Sequence, residues 1–317
     1  MVRLSARKPL MPAETGAMRV HMDSNLNEAL ERIATEIDES FDSLLSLPGD
    51  PRDGLFAAMR YAAIGGGKRL RPLLLIGTAS LLNVDRATAV RTATAVEAIH
   101  VYSLIHDDLP AMDDDDMRRG KPTLHKAFDE ATAILAGDSL HALAFEILSD
   151  PATHTDPFTR SELIATLALA SGPDGMAGGQ MMDLEAEKAQ FDLPTVTRLQ
   201  ALKTGALIVA SVEMGAILAR IPPEGRTHLR GYAHDIGLAF QIADDILDIE
   251  GDEERAGKAL HKDEAAGKAT FVSLMGLDRA KEQASILVEQ AIAHLAPYGS
   301  EADLLRAVAY YITERDH

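Results

Sequence analysis

The chain has 317 residues with 31 Lys+Arg against 49 Asp+Glu, a net charge of −18, no Cys or Trp, 46% hydrophobic and 4% aromatic residues. The hydrophobic share excludes a disordered chain, and zero cysteines exclude disulfide scaffolds, thiolate metal ligands and thiol nucleophiles. The acidic balance and few aromatics exclude a nucleic-acid partner, which needs surplus cations or stacking rings.

Residues 1–24 read as a flexible N-terminal extension. They carry Arg3, Arg7, Lys8 and Arg19 but no continuous apolar run of a secretory signal. A single domain is expected over 25–317. From Asn25 the periodicity is helical: Leu26, Leu30, Ile33 and Ile37 recur at the spacing of one helix face. Similar patterns run through 54–65, 86–108, 125–149, 158–171, 195–220, 227–250, 271–297 and 301–315. Breaks fall at Pro48-Gly49, Gly65-Gly66-Gly67, Ser171-Gly172-Pro173, Pro222-Pro223 and Pro297. No alternating β run appears. The prediction is an all-α, single-domain bundle of about ten helices. Residues 206–219 are apolar nearly all round, the mark of a central buried helix. Gly205–Ala219 carries Glu213 and falls short of the roughly 20 residues of a membrane span, so no membrane insertion is expected. A cytoplasmic setting fits the missing cysteines.

The sharpest feature is Asp107-Asp108-Leu109-Pro110-Ala111-Met112-Asp113-Asp114-Asp115-Asp116, followed by Arg118 and Arg119. A second cluster, Asp244-Asp245-Ile246-Leu247-Asp248, ends the 227–250 run. Asp244 and Asp248 are about 40° apart on a helix, so their charges repel unless a cation lies between them. Oxygen ligands of this kind suit Mg²⁺, which takes a few carboxylates and completes its shell with phosphate. Asp107 and Asp113 are about 120° apart on an unbroken helix. Pro110 between them breaks the turn and leaves room for both to face one site. A solvated acidic helix end is the plainer reading of either cluster taken singly.

Cations form separate groups. Gly65-Gly66-Gly67-Lys68-Arg69-Leu70-Arg71-Pro72 is a glycine turn with three cations, suited to close contact with phosphate. It lacks the spacing and the Lys-Ser/Thr ending of a nucleotide P-loop. Lys203-Thr204-Gly205 opens the very apolar helix, and Lys258, Lys262 and Lys268 follow the second acidic cluster. His100 and His106 precede the first cluster on the same helix. Two acidic clusters, cationic groups and an apolar helical interior together describe a site for a diphosphate carrying a hydrocarbon tail.

In order and spacing these motifs resemble the trans-isoprenyl diphosphate synthases, and within them the bacterial farnesyl-forming type. The resemblance covers 65–72, HVYSLIHDDLPAMDDDDMRRGKPT at 100–123, GGQMMDLEAE at 178–187, KTG at 203–205, FQIADDILD at 240–248, GK at 257–258 and GKATF at 267–271. It implies the isoprenoid synthase fold around a central apolar cavity. It implies that Lys68, Arg71, His100 and Arg119 hold isopentenyl diphosphate. Arg118, Lys203, Lys258 and Lys268 would hold the allylic diphosphate, with Thr204 and Gln241 along its tail. Asp107, Asp113 and Asp244 would be the main ligands of three Mg²⁺ ions, supported by Asp108 and Asp248, with Asp183 a weaker, water-mediated contact. Catalysis would rest on Asp107, Asp113, Asp244, Lys203 and Arg118. The implied reaction is ionisation of the allylic diphosphate, attack by the isopentenyl alkene and loss of a proton. A homodimer is implied too.

Product length rests on the helix just before Asp107. Tyr102 and Ser103 lie five and four residues upstream. An aromatic at the former, with the insertion containing Pro110, resembles the C15-forming type. A C20-forming enzyme with a deeper cavity is the alternative, and an inactive binding or regulatory subunit is the alternative from another class. The C-terminal Thr313-Glu314-Arg315-Asp316-His317 lacks the basic terminal residue common in close relatives.

Overall fold

Aspartates start helix after helix. Asp85, Asp129, Asp156 and Asp192 each accept from a first-turn amide: those of Thr88, Thr132, Phe158 and Thr195. Such caps satisfy donors that the helix itself leaves free. The computed structural model describes residues 12–250 and 269–314. In chain order the helices are α1 (Pro12–Leu44), α2 (Asp53–Ala63), α3 (Leu70–Leu81) and α4 (Arg86–Asp107). A short hairpin of β1 (Met117–Arg118) and β2 (Lys121–Pro122) follows, pairing Met117 with Pro122 and Arg118 with Lys121. Then come α5 (Leu124–Ala127), α6 (Glu130–Ser149), α7 (Pro157–Ser171), α8 (Met176–Ala186) and α9 (Leu193–Gln200). A π turn, Ala201–Gly205, joins α9 to α10 (Ala206–Leu218). The chain continues through α11 (Thr227–Glu250), α12 (Phe271–Met275), α13 (Leu277–His294) and α14 (Asp303–Glu314).

The all-α expectation holds, and α10 is the central helix. It packs against α3, α4, α7 and α11, with Leu207, Ile208, Val212, Met214 and Ile217 buried. Gly215 permits the close crossing with α3, since a Cβ there would stand 2.7 Å from the Leu75 carbonyl oxygen. The buried Tyr232 hydroxyl donates to Leu305 O at 2.7 Å and ties α11 to α14.

Several boundaries differ from expectation. Helix α1 opens at Pro12, ahead of Asn25. Helices α3 and α8 lie outside the predicted runs. Pro72 of α3 occupies the first turn, where no partner for its missing N–H is needed. Two residues per strand are too few for alternation to show, so the hairpin left no signal. The run 271–297 divides at Gly276, whose φ of +86° ends α12. The expectation on membrane length is corrected. Because the helix runs through the π turn, Leu193–Leu218 is a continuous 26-residue segment. It and Glu130–Ser149 are long and apolar enough to cross a membrane, although 61% of the former's most apolar window is buried inside the fold.

Candidate active site

The first acidic cluster folds back on itself where α4 ends. The Leu109 amide donates to His106 O at 3.2 Å and the Met112 amide to Leu109 O at 2.9 Å. The Asp113 amide then reaches Asp107 O at 2.8 Å. The loop thus returns Asp113 to the helix end, which the regular helix would not allow. Burial raises the Asp107 carboxyl to about 6; nearby Lys203 opposes this and Asp113 adds to it. Asp108, buried beside it, accepts from Arg118 Nε at 2.7 and 2.9 Å, and its Oδ1 lies 2.6 Å from Arg118 Nη2. Hairpin strand β1 supplies that arginine, so the expected supporting metal ligand is engaged by an expected diphosphate ligand.

The glycine turn gathers cations from three elements. Arg69, in the left-handed region at φ +50°, turns inward. It donates to Glu97 at 2.7 Å, to Asp38 at 2.7 Å and to Ala63 O at 2.6 Å. This fixes the turn from behind. Gly67 has φ +85°, and a Cβ on it would overlap the Arg119 guanidinium. Arg119 therefore lies across the glycine backbone, close to the turn that bears Lys68. Arg71 Nε is buried with no hydrogen-bond partner among the described residues. Burial lowers the Arg71 pKa, and Glu97 and Asp244 oppose that shift. Burial, then Arg71, Arg119, Arg118 and Arg69, pushes His100 well below the usual histidine range. A neutral imidazole among guanidiniums can donate to an anion without adding charge. Lys68 sits at the rim, its Nζ 5.9 Å from the centre of the Tyr311 ring of α14.

The π turn with Lys203 and Thr204 brings the Lys203 charge near Asp107. Lys203 Nζ donates to the buried Asp183 at 2.8 Å. A Cβ on Gly179 would overlap the Lys203 backbone nitrogen, so α8 presses directly on this turn. Gly237 of α11 faces Gly205 at 3.5 Å, measured from an ideal Cβ. That closeness brings the second acidic cluster to the π turn. Asp244 and Asp248 are half-buried on one face of α11, with Gln241 buried one turn before. Asp245 points away and accepts from the Phe271 amide at 2.7 Å. Lys258, Lys262 and Lys268 lie outside the described residues.

No three carboxylate or histidine side chains among the described residues stand close enough to hold a metal on their own. The donor set nevertheless fits Mg²⁺. Every candidate ligand is a carboxylate oxygen, and the Asp107 carboxyl, raised first by burial and further by the Asp113 charge, is one whose ionised form a cation would stabilise. Mg²⁺ is held by one or two carboxylates plus phosphate oxygens rather than by an all-protein cage.

Tyr102 and Ser103 take different directions. The Ser103 hydroxyl turns back to His100 O at 2.9 Å. The Tyr102 ring meets the rings of His106 and His141 edge-on. Burial, then the Asp107 carboxylate, raises its phenol pKa, so the ring lies within the field of the first acid. On the flank of α4 carrying Val101, Leu104, Ile105 and Asp108, a cavity of about 570 Å³, open solvent at its mouth included, is closed by Arg118 and Lys121 of the hairpin.

A model of the polyprenyl synthetase family matches residues 52–309. The chain belongs to that family. This polyprenyl synthetase is 48% identical over 265 residues to the farnesyl diphosphate synthase of Escherichia coli, covering 81% of this chain and 88% of the relative. It is 41% identical over 300 residues to that of Geobacillus stearothermophilus, covering 94% and 99%. In three dimensions it matches the crystal structure of an FPP/GFPP synthase from Zymomonas mobilis. The TM-score is 0.84 at 58% identity, over 92% of this chain and 99% of that one. No motif marks Glu97, and none sets Arg69 apart from Lys68 and Arg71. A cation beside two others reads as one more phosphate ligand, and only the fold shows it turned inward.

Proposed function

We propose that this polyprenyl synthetase condenses isopentenyl diphosphate with dimethylallyl or geranyl diphosphate to give farnesyl diphosphate. One observation carries the reading: Asp107 feels the charge of two cations suited to a diphosphate, Lys203 and Arg118, and its own charge reaches the Tyr102 phenol. Arg71, His100, Arg119 and Lys68 would bind isopentenyl diphosphate. Arg118 and Lys203 would bind the allylic diphosphate, with Thr204 and Gln241 beside its tail; Lys258 and Lys268 are assigned the same role on their place in the motifs. Asp107, Asp113, Asp244 and Asp248 would hold Mg²⁺, three ions in all, while Asp108 would act chiefly by orienting Arg118. Bound there, Mg²⁺ supplies Lewis-acid charge to the leaving diphosphate.

The chain's own residues do the rest. Lys203 and Arg118 stabilise charge developing on the departing oxygen, as preorganised donors do in a desolvated site. Arg71 and Arg119 orient the second substrate so that its alkene faces the allylic carbon. Neutral His100 donates a hydrogen bond and holds its own proton. The buried faces of α3, α4, α10 and α11 exclude water that would quench a carbocation. The proton lost at the end passes to the released diphosphate, so no side-chain base is assigned.

The experiment is product chromatography after incubation with Mg²⁺, isopentenyl diphosphate and each allylic starter. A C15 product from both starters is expected. The FPP/GFPP synthase of Zymomonas mobilis favours a second reading, in which elongation continues past C15; a C20 or longer main product would establish it. No product would return the inactive-subunit reading. A homodimer is also proposed, because α6 turns Ile134 (44% exposed) and Leu135 (55% exposed) outward. Sedimentation should show a dimer, and Leu135→Glu should yield monomer. A cytosolic location completes the reading.

A further inference from the structure

The Tyr102 ring is gripped from two sides. His106, one turn along α4, meets it edge-on at 5.7 Å and 78°. His141, from α6, meets it at 5.0 Å and 89°. Phe145, one turn beyond His141, backs that imidazole at 5.3 Å. Edge-to-face contacts at these separations are the favoured geometry of ring pairs.

Each imidazole is itself placed. His106 Nε2 lies 3.2 Å from Ile134 O, and a carbonyl only accepts, so this nitrogen carries the proton. A Cβ on Gly137 would overlap the His106 ring, so the glycine is what lets that ring lie against α6. Among the described residues the Tyr102 hydroxyl has no hydrogen-bond partner. Packing therefore selects its rotamer, and the two imidazoles supply the ring contacts in it.

We infer that His141 is a positioning residue for product length: with His106 it brackets Tyr102 and fixes how deep a growing hydrocarbon chain can reach beneath Asp107. The inference rests on the C15 reading above and adds a residue from a different helix to it. A tyrosine on one helix can rotate out of the path of an incoming methyl group. A tyrosine clamped by the next helix cannot, because α4 and α6 pack along their length. His141 is the testable member, since His106 adjoins Asp107.

The test compares wild type, His141→Ala and His141→Phe with Mg²⁺, isopentenyl diphosphate and geranyl diphosphate. His141→Ala is expected to raise the ratio of C20-or-longer to C15 product about tenfold or more, the discrimination that one misfit in an apolar pocket commands. His141→Phe keeps a ring there and is expected to keep the wild-type ratio. An unchanged ratio in His141→Ala, or an equal rise in both variants, overturns the inference. Should His141→Ala not fold, His141→Gln has the reach without the ring; the same rise is expected of it, and an unchanged ratio there overturns the inference equally. A second readout needs no turnover. In ring-labelled protein followed by NMR, the Tyr102 signals should lose the His141 share of their ring-current shift in His141→Ala, keeping that of His106, and regain a second share in His141→Phe. Unchanged signals overturn the bracket. A wild type without prenyl product overturns the assigned reaction, and the NMR result then judges the bracket alone.

Discussion

Arg69 and Glu97 form an ion pair inside the core, Nη1 to Oε1 at 2.7 Å, with side chains 1% and 2% exposed. Its weight lies in what surrounds it. Glu97 also draws on Arg71 and Arg119 through space, and its second oxygen, Oε2, is buried with no hydrogen-bond partner among the described residues. One buried negative charge thus steadies a group of guanidiniums that would otherwise repel one another. Arg69→Met should cost about 3–5 kcal/mol, because it strands a buried carboxylate. Adding Glu97→Leu should recover much of that loss in urea denaturation. The double variant should still bind isopentenyl diphosphate poorly, since the turn that carries Lys68 and Arg71 loses the Arg69 bonds that fix it from behind.

Asp107→Asn should stabilise the metal-free protein while disabling it. The folded carboxyl, at about 6 against an ordinary 3.8, prefers its proton. Its ionised form opposes folding above pH 6, and the stability it withholds returns as pH falls from about 6 towards 4. The shift corresponds to up to about 3 kcal/mol at 1.36 kcal/mol per unit. Calorimetry at pH 8 without Mg²⁺ should show a Tm about 2–6 °C higher in the variant, and a flatter pH dependence. Turnover with saturating Mg²⁺ should fall about 100-fold or more. A variant both less stable and fully active would refute the assignment.

The neighbouring acids of the second cluster should part company. Asp245→Ala removes the acceptor of the buried Phe271 amide, costing about 1–3 kcal/mol of stability. Asp244→Ala should fold with a near-native Tm and lose about 100-fold or more in turnover. Thermal melts and initial rates on the same two samples decide it.

Gly67→Ala should raise KM for isopentenyl diphosphate about tenfold and leave that for the allylic substrate little changed. Two effects coincide there: φ of +85° and a Cβ that would displace the Arg119 guanidinium. Gly49→Ala separates them, since its φ is +76° but nothing lies within 4 Å of the new Cβ. That control should lose about 1–2 kcal/mol from backbone strain with both KM values kept.

Tyr102→Ala should shift the main product beyond C15, read by chromatography. The ring lies close enough to Asp107 to feel its charge, so its removal deepens the space below that acid. A variant that still stops at C15 would place the floor elsewhere.

The sequence made the helices and the two acidic clusters legible because both are local patterns: apolar spacing, and carboxylates four or six residues apart. It also made legible that the chain between Asp107 and Asp113 must break its helix, because Pro110 has no N–H to give. What it hid were matters of direction. Nothing in Lys68-Arg69-Leu70-Arg71 says that the middle cation turns inward, since that depends on Asp38 and Glu97 of other helices. Nothing in Asp244-Asp245 separates a half-exposed acid from the cap of a helix that starts 26 residues later. The α6 side of the Tyr102 cluster was equally silent, because His141 and Phe145 carry no motif.

The π turn at Ala201–Gly205 is a difference in chain length. An extra residue in one turn cannot be written or erased by substitution; it takes an insertion or a deletion. Deleting one residue would re-phase Lys203 against the helix beyond it by about 100°. Helix α10 is apolar on nearly every side, so its packing would suffer less than the aim of that lysine. Gene-length variation, which most of this bundle would absorb in its loops, is at this place the change that parts binding from folding.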